Sequence, residues 1–157
     1  MTPSAGPSSE RAIENLIARY AELVDAGDFA GLGDLLGDGL FGGEGDLVVR
    51  GDRAIEGIFR SMVRVYEDGT PRTKHVTTNI QIEVDEALGT ATSRSYVTVF
   101  QGMDDTGIQP IVAGRYRDRF ERREQEWRFV ERRFVTDLLG DVSRHLLHGS
   151  DTLRGQP

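Results

Sequence analysis

The sequence predicts an α+β domain in which three helices pack on a curved, mainly antiparallel sheet and enclose a pocket. Three observations lead there. The apolar spacing follows a period of 3.6 up to Pro71 and a period of 2 from Lys74 onward. Four long alternating runs then follow one another across short gaps, so the strands pair as antiparallel neighbours rather than as βαβ units. The chain has 157 residues, 38% of them hydrophobic and 29% charged, which suits one folded domain and not a disordered chain.

Met1–Ser9 is rich in Pro, Ser and Gly and is expected to be a flexible lead-in to a domain spanning 10–140. Ile13, Leu16, Ile17, Tyr20, Leu23 and Val24 mark a helix over 10–26, with Ser9 as its cap and Gly27 as its stop. Asp28 caps a short second helix carrying Phe29, Leu32, Leu35 and Leu36. The Gly/Asp-rich stretch Gly37–Gly51 holds one short strand at Leu47–Arg50. Asp52 caps a third helix whose stripe is Ile55, Phe59, Met62, Val63 and Tyr66, and Gly69-Thr70-Pro71 ends it. In the first long strand Val76, Thr78, Ile80, Ile82 and Val84 alternate with His75, Thr77, Asn79, Gln81 and Glu83. Thr90–Gln101, Ile111–Arg123 and Trp127–Leu139 are the remaining strands, with Gly102–Pro110 as a longer loop. Residues 141–157 form an extension with a short apolar turn at Val142, Leu146 and Leu147 and an ending that is partly disordered.

Composition excludes several classes of function. A net charge of −7 argues against nucleic acid as the main partner, because phosphate binding needs a basic field. Cysteine is absent, which removes disulfides, thiol nucleophiles and Cys-containing zinc sites. No apolar run approaches the ~20 residues that span a bilayer, so no membrane partner is expected. Met1–Ser9 lacks the basic start and apolar stretch of a signal peptide, and the expected location is the cytoplasm.

A blind pocket between helices and curved sheet is a usual place for a small ligand, so the polar residues that point inward matter most. His75 stands at the start of the first long strand, and imidazole passes a proton either way near neutral pH. Strand parity sets it opposite the apolar set, on the solvent face; only a β-bulge near Thr77–Asn79 turns it inward. Asp25 lies at the negative end of the first helix dipole, which implies either a partner elsewhere or a simple turn at Asp25-Ala26-Gly27-Asp28. Tyr20 is either a core residue or a phenol donor in the pocket. On an ideal helix it points about 140° away from Asp25, so the two reach one cavity only from opposite flanks. Arg132 alternates with Val130, Phe134 and Leu138 on an apolar face, where a guanidinium needs an anionic or carbonyl partner from protein or ligand. Phe59, Met62, Asn79, Tyr96 and Phe134 are the candidates for substrate contact. His145-x-x-His148 has no third ligand and is not assigned to a metal, and Gly42-Gly43-Glu44-Gly45-Asp46 lacks the strand and helix of a phosphate loop.

The order of elements, together with Tyr20-Ala-Glu-Leu-Val-Asp25-Ala-Gly-Asp28, Gly51-Asp52, His75-Val-Thr-Thr-Asn79 and Trp127-Arg-Phe-Val-Glu-Arg132, resembles the SnoaL-like branch of the nuclear transport factor 2-like superfamily. These are conical α+β domains with a cystatin-like fold. Within the branch the chain looks most like the group of scytalone dehydratase, bile-acid 7α-dehydratase and hexachlorocyclohexane dehydrochlorinase, cofactor-free enzymes that abstract a proton with an Asp–His dyad. The resemblance implies that Asp25 and His75 are that dyad, that Tyr20 donates to a departing or carbonyl oxygen, and that Arg132 stabilises enolate-like charge. It implies dehydration, double-bond isomerisation or polyketide-type cyclisation of a small hydrophobic molecule, with no cofactor and no metal, in a homodimer or homotrimer. A non-catalytic binding or oligomerising module of the same fold is the alternative.

Overall fold

Ser8, one residue before the expected cap, opens α1 (Ser9–Ala26) by accepting the backbone N–H of Arg11 on its hydroxyl at 3.3 Å. Gly27 closes the helix in the left-handed region at φ 71°, where its N–H and that of Asp28 reach back to the carbonyls of Val24 and Leu23. Asp28 then caps α2 (Phe29–Leu36) by accepting the N–H of Gly31 at 2.8 Å, as its position in the sequence predicts. The computed structural model describes residues 6–44, 48–149 and 153. Most of the expected flexible lead-in, and Leu47 of the expected short strand, lie outside them.

A hairpin of β1 (Leu40–Gly42) and β2 (Val48–Arg50) follows, and the sequence signalled only its second strand. α3 (Asp52–Met62) begins after Gly51, with no side-chain cap: Asp52 accepts only the neighbouring N–H of Arg53. The helix stops at Met62, so Tyr66 leaves its expected stripe and donates its hydroxyl to the Arg144 carbonyl at 2.5 Å instead. The long strands are β3 (Thr73–Asp85), β4 (Thr90–Met103), β5 (Gly107–Arg123) and β6 (Glu126–Leu139). Pairing of Gln101, Gly102 and Met103 with Gln109, Ile108 and Gly107 shrinks the expected loop at Gly102–Pro110 to a tight turn.

The sheet runs in the order β2-β1-β6-β5-β4-β3 and is antiparallel except where β1 lies parallel to β6. Register shifts interrupt every long pairing, between Thr78 and Gln81 in β3, Val99 and Phe100 in β4, and twice along β5 against β6. Each extra residue bends its strand and raises the local twist, which curls the sheet around the helices. Gly114 sits at one of these points. A Cβ there would lie 2.1 Å from the Val135 carbonyl oxygen, so the close approach of β5 and β6 requires glycine. The core joins Ile13, Ile17 and Val24 of α1, Phe29 and Leu32 of α2, and Ile55 and Phe59 of α3 to Val97, Val99, Phe120 and Phe129 of the sheet. Among the described residues no helix is long and apolar enough to cross a membrane.

Candidate active site

Asp25 occupies the last turn of α1, where no basic side chain offsets the negative end of the helix dipole. β3 supplies the compensation. The Asp25 carboxylate accepts the Thr73 hydroxyl at 2.8 Å, the His75 backbone N–H at 2.8 Å and the His75 ring at Nδ1, 2.6 Å away. Burial alone would raise the Asp25 carboxyl, but the hydrogen bonds and charge of His75, helped by Thr73, outweigh it and hold the group below its ordinary value. An ionised carboxylate only accepts, so Nδ1 carries the proton and Nε2 is left as the free lone pair of the neutral ring. The side chains of His75 and Asp25 are only 9% and 8% exposed.

The sequence leaves the facing of His75 undecided, and the extra residue in β3 decides it. Asn79 adopts φ 53°, and the pairing steps from Thr78↔Tyr96 to Gln81↔Arg94, three residues against two. Inward positions are therefore Thr73 and His75 before the bulge and Ile82 and Val84 after it, while Val76 and Ile80 face out. Parity carried unbroken from Ile82 back to Val76 places His75 in solvent; the bulge reverses that.

His75 opens onto a cavity with about 100 Å³ in which the centre of a water molecule can move. Its wall is mainly Val24, Phe41, Phe59, Met62, Val97, Val99 and Phe134, with the polar groups of Tyr20, Tyr116, Thr136 and His145 set into it. Tyr20 lines this cavity and Asp25 does not, which answers the angular problem: the helix sends Tyr20 to the wall and Asp25 to β3, and His75 joins the two sides. Burial raises the Tyr20 phenol well above its ordinary value and pushes that of Tyr116 up to about 12, so both stay protonated. Their rings meet edge to face at 5.7 Å.

Three of the expected site residues stand elsewhere. Arg132 is wholly buried behind the wall, with Nε and Nη2 donating to Asp118 at 2.8 and 2.9 Å and its guanidinium 4.2 and 3.9 Å from the centres of the Tyr20 and Tyr116 rings. Burial would lower its pKa, but the charge and hydrogen bonds of Asp118 reverse that and raise it. Its anionic partner belongs to the protein and the group does not face the cavity, so it supports the tyrosines rather than a reacting oxygen. Tyr96 is 54% exposed, because Ala91, Ser93, Ser95, Val97 and Val99 of β4 take the inward parity. Asn79 is exposed and serves as the bulge residue. Leu138, expected beside Arg132, is also turned out, after a register shift at Ala113/Gly114. Phe59, Met62 and Phe134 do line the cavity.

Tyr116 and Thr136 are polar cavity groups that sequence reasoning missed, and so is His145. Its apolar neighbours Val142 and Leu146, both buried, are the signal that pointed to an inward-turned segment.

These features define a pocket-bearing α+β protein of the nuclear transport factor 2-like class, with a cystatin-like fold. The chain belongs to the SnoaL-like domain family, which it matches over residues 8–133. Among solved structures it is similar to a protein of unknown function from Mycobacterium tuberculosis, 28% identical with a TM-score of 0.67, over 87% of this chain and 79% of that one. A nuclear transport factor 2-like protein with a cystatin-like fold from Novosphingobium aromaticivorans is 26% identical, with a TM-score of 0.67 over 86% and 85% of the two chains. A hexachlorocyclohexane dehydrochlorinase from Novosphingobium barchaimii shares the fold at 20% identity and a TM-score of 0.66, over 85% and 89%. No curated protein matches the chain.

Proposed function

We propose that this protein is a cofactor-independent lyase or isomerase that removes a proton from carbon in a small, mostly apolar molecule. The observation that carries the reading is an imidazole held at Nδ1 by a carboxylate, with its other nitrogen free, on the wall of an apolar cavity. Nε2 of His75 takes the proton as the C–H bond breaks. Asp25 fixes the tautomer and compensates the imidazolium that forms. The same imidazolium can return its proton to an oxygen whose C–O bond is breaking, giving water and a C=C bond. Alternatively it returns the proton to a different carbon, which shifts the double bond. Tyr20, protonated at every working pH, donates a hydrogen bond to the oxygen on which charge develops.

The test starts from the small molecule extracted from the purified, denatured protein and identified by mass spectrometry. Incubated with wild-type protein in D2O, that compound should take up deuterium or turn over. His75→Ala should lower the rate by about 10²–10⁴-fold and Asp25→Asn by a comparable factor, with circular dichroism unchanged. A ligand recovered intact and without deuterium, or a His75→Ala variant of near-normal rate, would overturn the reading in favour of a carrier.

A further inference from the structure

Tyr20 from α1 and Tyr116 from β5 meet on the cavity wall that carries His75, their rings edge to face at 5.7 Å. Each side chain keeps 4% exposure. Thr136 Oγ1 and His145 Nδ1, on the same wall, are shut off from water and cannot meet a ligand. The two phenol oxygens and His75 Nε2 are not sealed in this way. Burial raises both phenols; the Tyr20 hydroxyl donates to that of Tyr116, which raises Tyr20 further and lowers Tyr116. That bond uses one of the two phenol protons. The Tyr116 proton has no acceptor among the described residues. Behind the pair, the Arg132 guanidinium lies 4.2 and 3.9 Å from the ring centres, and its charge favours the ionised form of each phenol.

Two hydroxyls close enough to bond each other can both donate to one further oxygen, because each phenol proton rotates about its C–O bond. A cation behind the rings makes both better donors, and a water-excluded wall strengthens what they do to a developing charge. We propose that Tyr116 is a further catalytic residue, whose hydroxyl joins that of Tyr20 in a two-phenol oxyanion site, and that the substrate is an enolisable carbonyl compound. The inference rests on the proton-abstraction reading and names its substrate class. His75 Nε2 takes the proton from the carbon beside the carbonyl. The electron pair of that C–H bond becomes the C=C bond, and the C=O pair moves onto the oxygen, where both phenols donate to it. The imidazolium then returns the proton to another carbon or to an oxygen leaving from the next carbon. Tyr116 is pushed up to about 12, so it holds its proton and acts by hydrogen bonding, which suits an enolate oxygen rather than a departing hydroxyl. A halocarbon offers no such oxygen and would bury the spare O–H unpaired. Phe41, Phe59, Met62, Val97 and Val99 receive the apolar remainder.

The experiment uses 4-nitrophenol, whose phenolate oxygen mimics an enolate and whose absorbance separates the ionised from the neutral form. Bound to the full chain, the ratio of phenolate to phenol at fixed pH should be at least about tenfold higher in wild type than in Tyr116→Phe, the value of one hydrogen bond to a charged acceptor. The same fall should appear when His75 is already Ala, which excludes transfer of the probe's proton to that ring as its cause. Toluene, which has no oxygen, should bind wild type and Tyr116→Phe within about twofold, showing an intact cavity. In the deuterium assay with the extracted compound, Tyr116→Phe should lower the rate by about 10²-fold. A ratio equal in wild type and Tyr116→Phe, no binding of 4-nitrophenol, or an extracted compound without a carbonyl group would overturn the proposal. The nitrophenol ratio involves no C–H bond, whereas deuterium uptake lost in His75→Ala reports on the base. Failure of the oxyanion site and failure of the proton-abstraction reading therefore give different results.

Discussion

Replacing Arg132 with Met tests whether the base of the site is as dry as its geometry implies. The guanidinium is wholly buried, makes two hydrogen bonds to Asp118 at 2.8 and 2.9 Å, and lies against the Tyr20 and Tyr116 rings. Methionine fills similar space, so the main loss is the positive charge. Asp118 would keep only the Ser93 hydroxyl, at 3.1 Å. Breaking one side of a buried pair costs about 3–5 kcal/mol. The expected loss in urea unfolding is therefore about 4 kcal/mol. The double variant Arg132→Met, Asp118→Leu should recover most of that loss, since an apolar pair of similar volume replaces a buried ion pair at little cost. A single-variant loss below about 1 kcal/mol would refute the reasoning: water would then reach the pair, and Arg132 would be free to face a ligand.

Three further measurements follow from the same geometry. The His145 pKa falls from an ordinary 6.5 to about 4 on folding, so its contribution to stability is complete above pH 6.5 and is lost as the pH falls toward 4. Calorimetric scans should show up to about 3 kcal/mol lost across that window, and His145→Leu should flatten it. The depressed Asp25 carboxyl acts lower: its contribution is complete above its unfolded value and disappears as the pH falls through the folded one, so Asp25→Asn should alter only the slope below about pH 4. At the bulge, Asn79 holds φ 53°, a left-handed conformation that disfavours β-branched side chains. Asn79→Val should cost about 1–2 kcal/mol in urea unfolding and Asn79→Gly almost nothing; equal stability of the two would show that the positive φ does not constrain the bulge.

The local layers of this structure were legible from residues near one another in the chain. Ile13 to Val24 at helical spacing, Asp28 ahead of a short helix, and the switch of period at Lys74 each act over a few residues, so helix and strand type followed directly. The parallel strand at Leu40–Gly42 gave no such signal, since three residues carry no period and its partner in β6 lies far along the chain. Asp25 and His75 were also recognisable as a pair, by resemblance and by the cost of a carboxylate at a helix C-terminus.

Facing was a different matter. A β-strand alternates with period 2, so one extra residue reverses every side chain beyond it, and this sheet has such shifts in all its long pairings. The sequence by itself determined the helices, the long strands and the chemical types available to a cavity. Only the tertiary structure decided that His75 turns in, that Tyr96 and Leu138 turn out, that Arg132 finds its anion in Asp118, and that His145 returns to the wall, because each depends on a bulge or a partner distant in sequence.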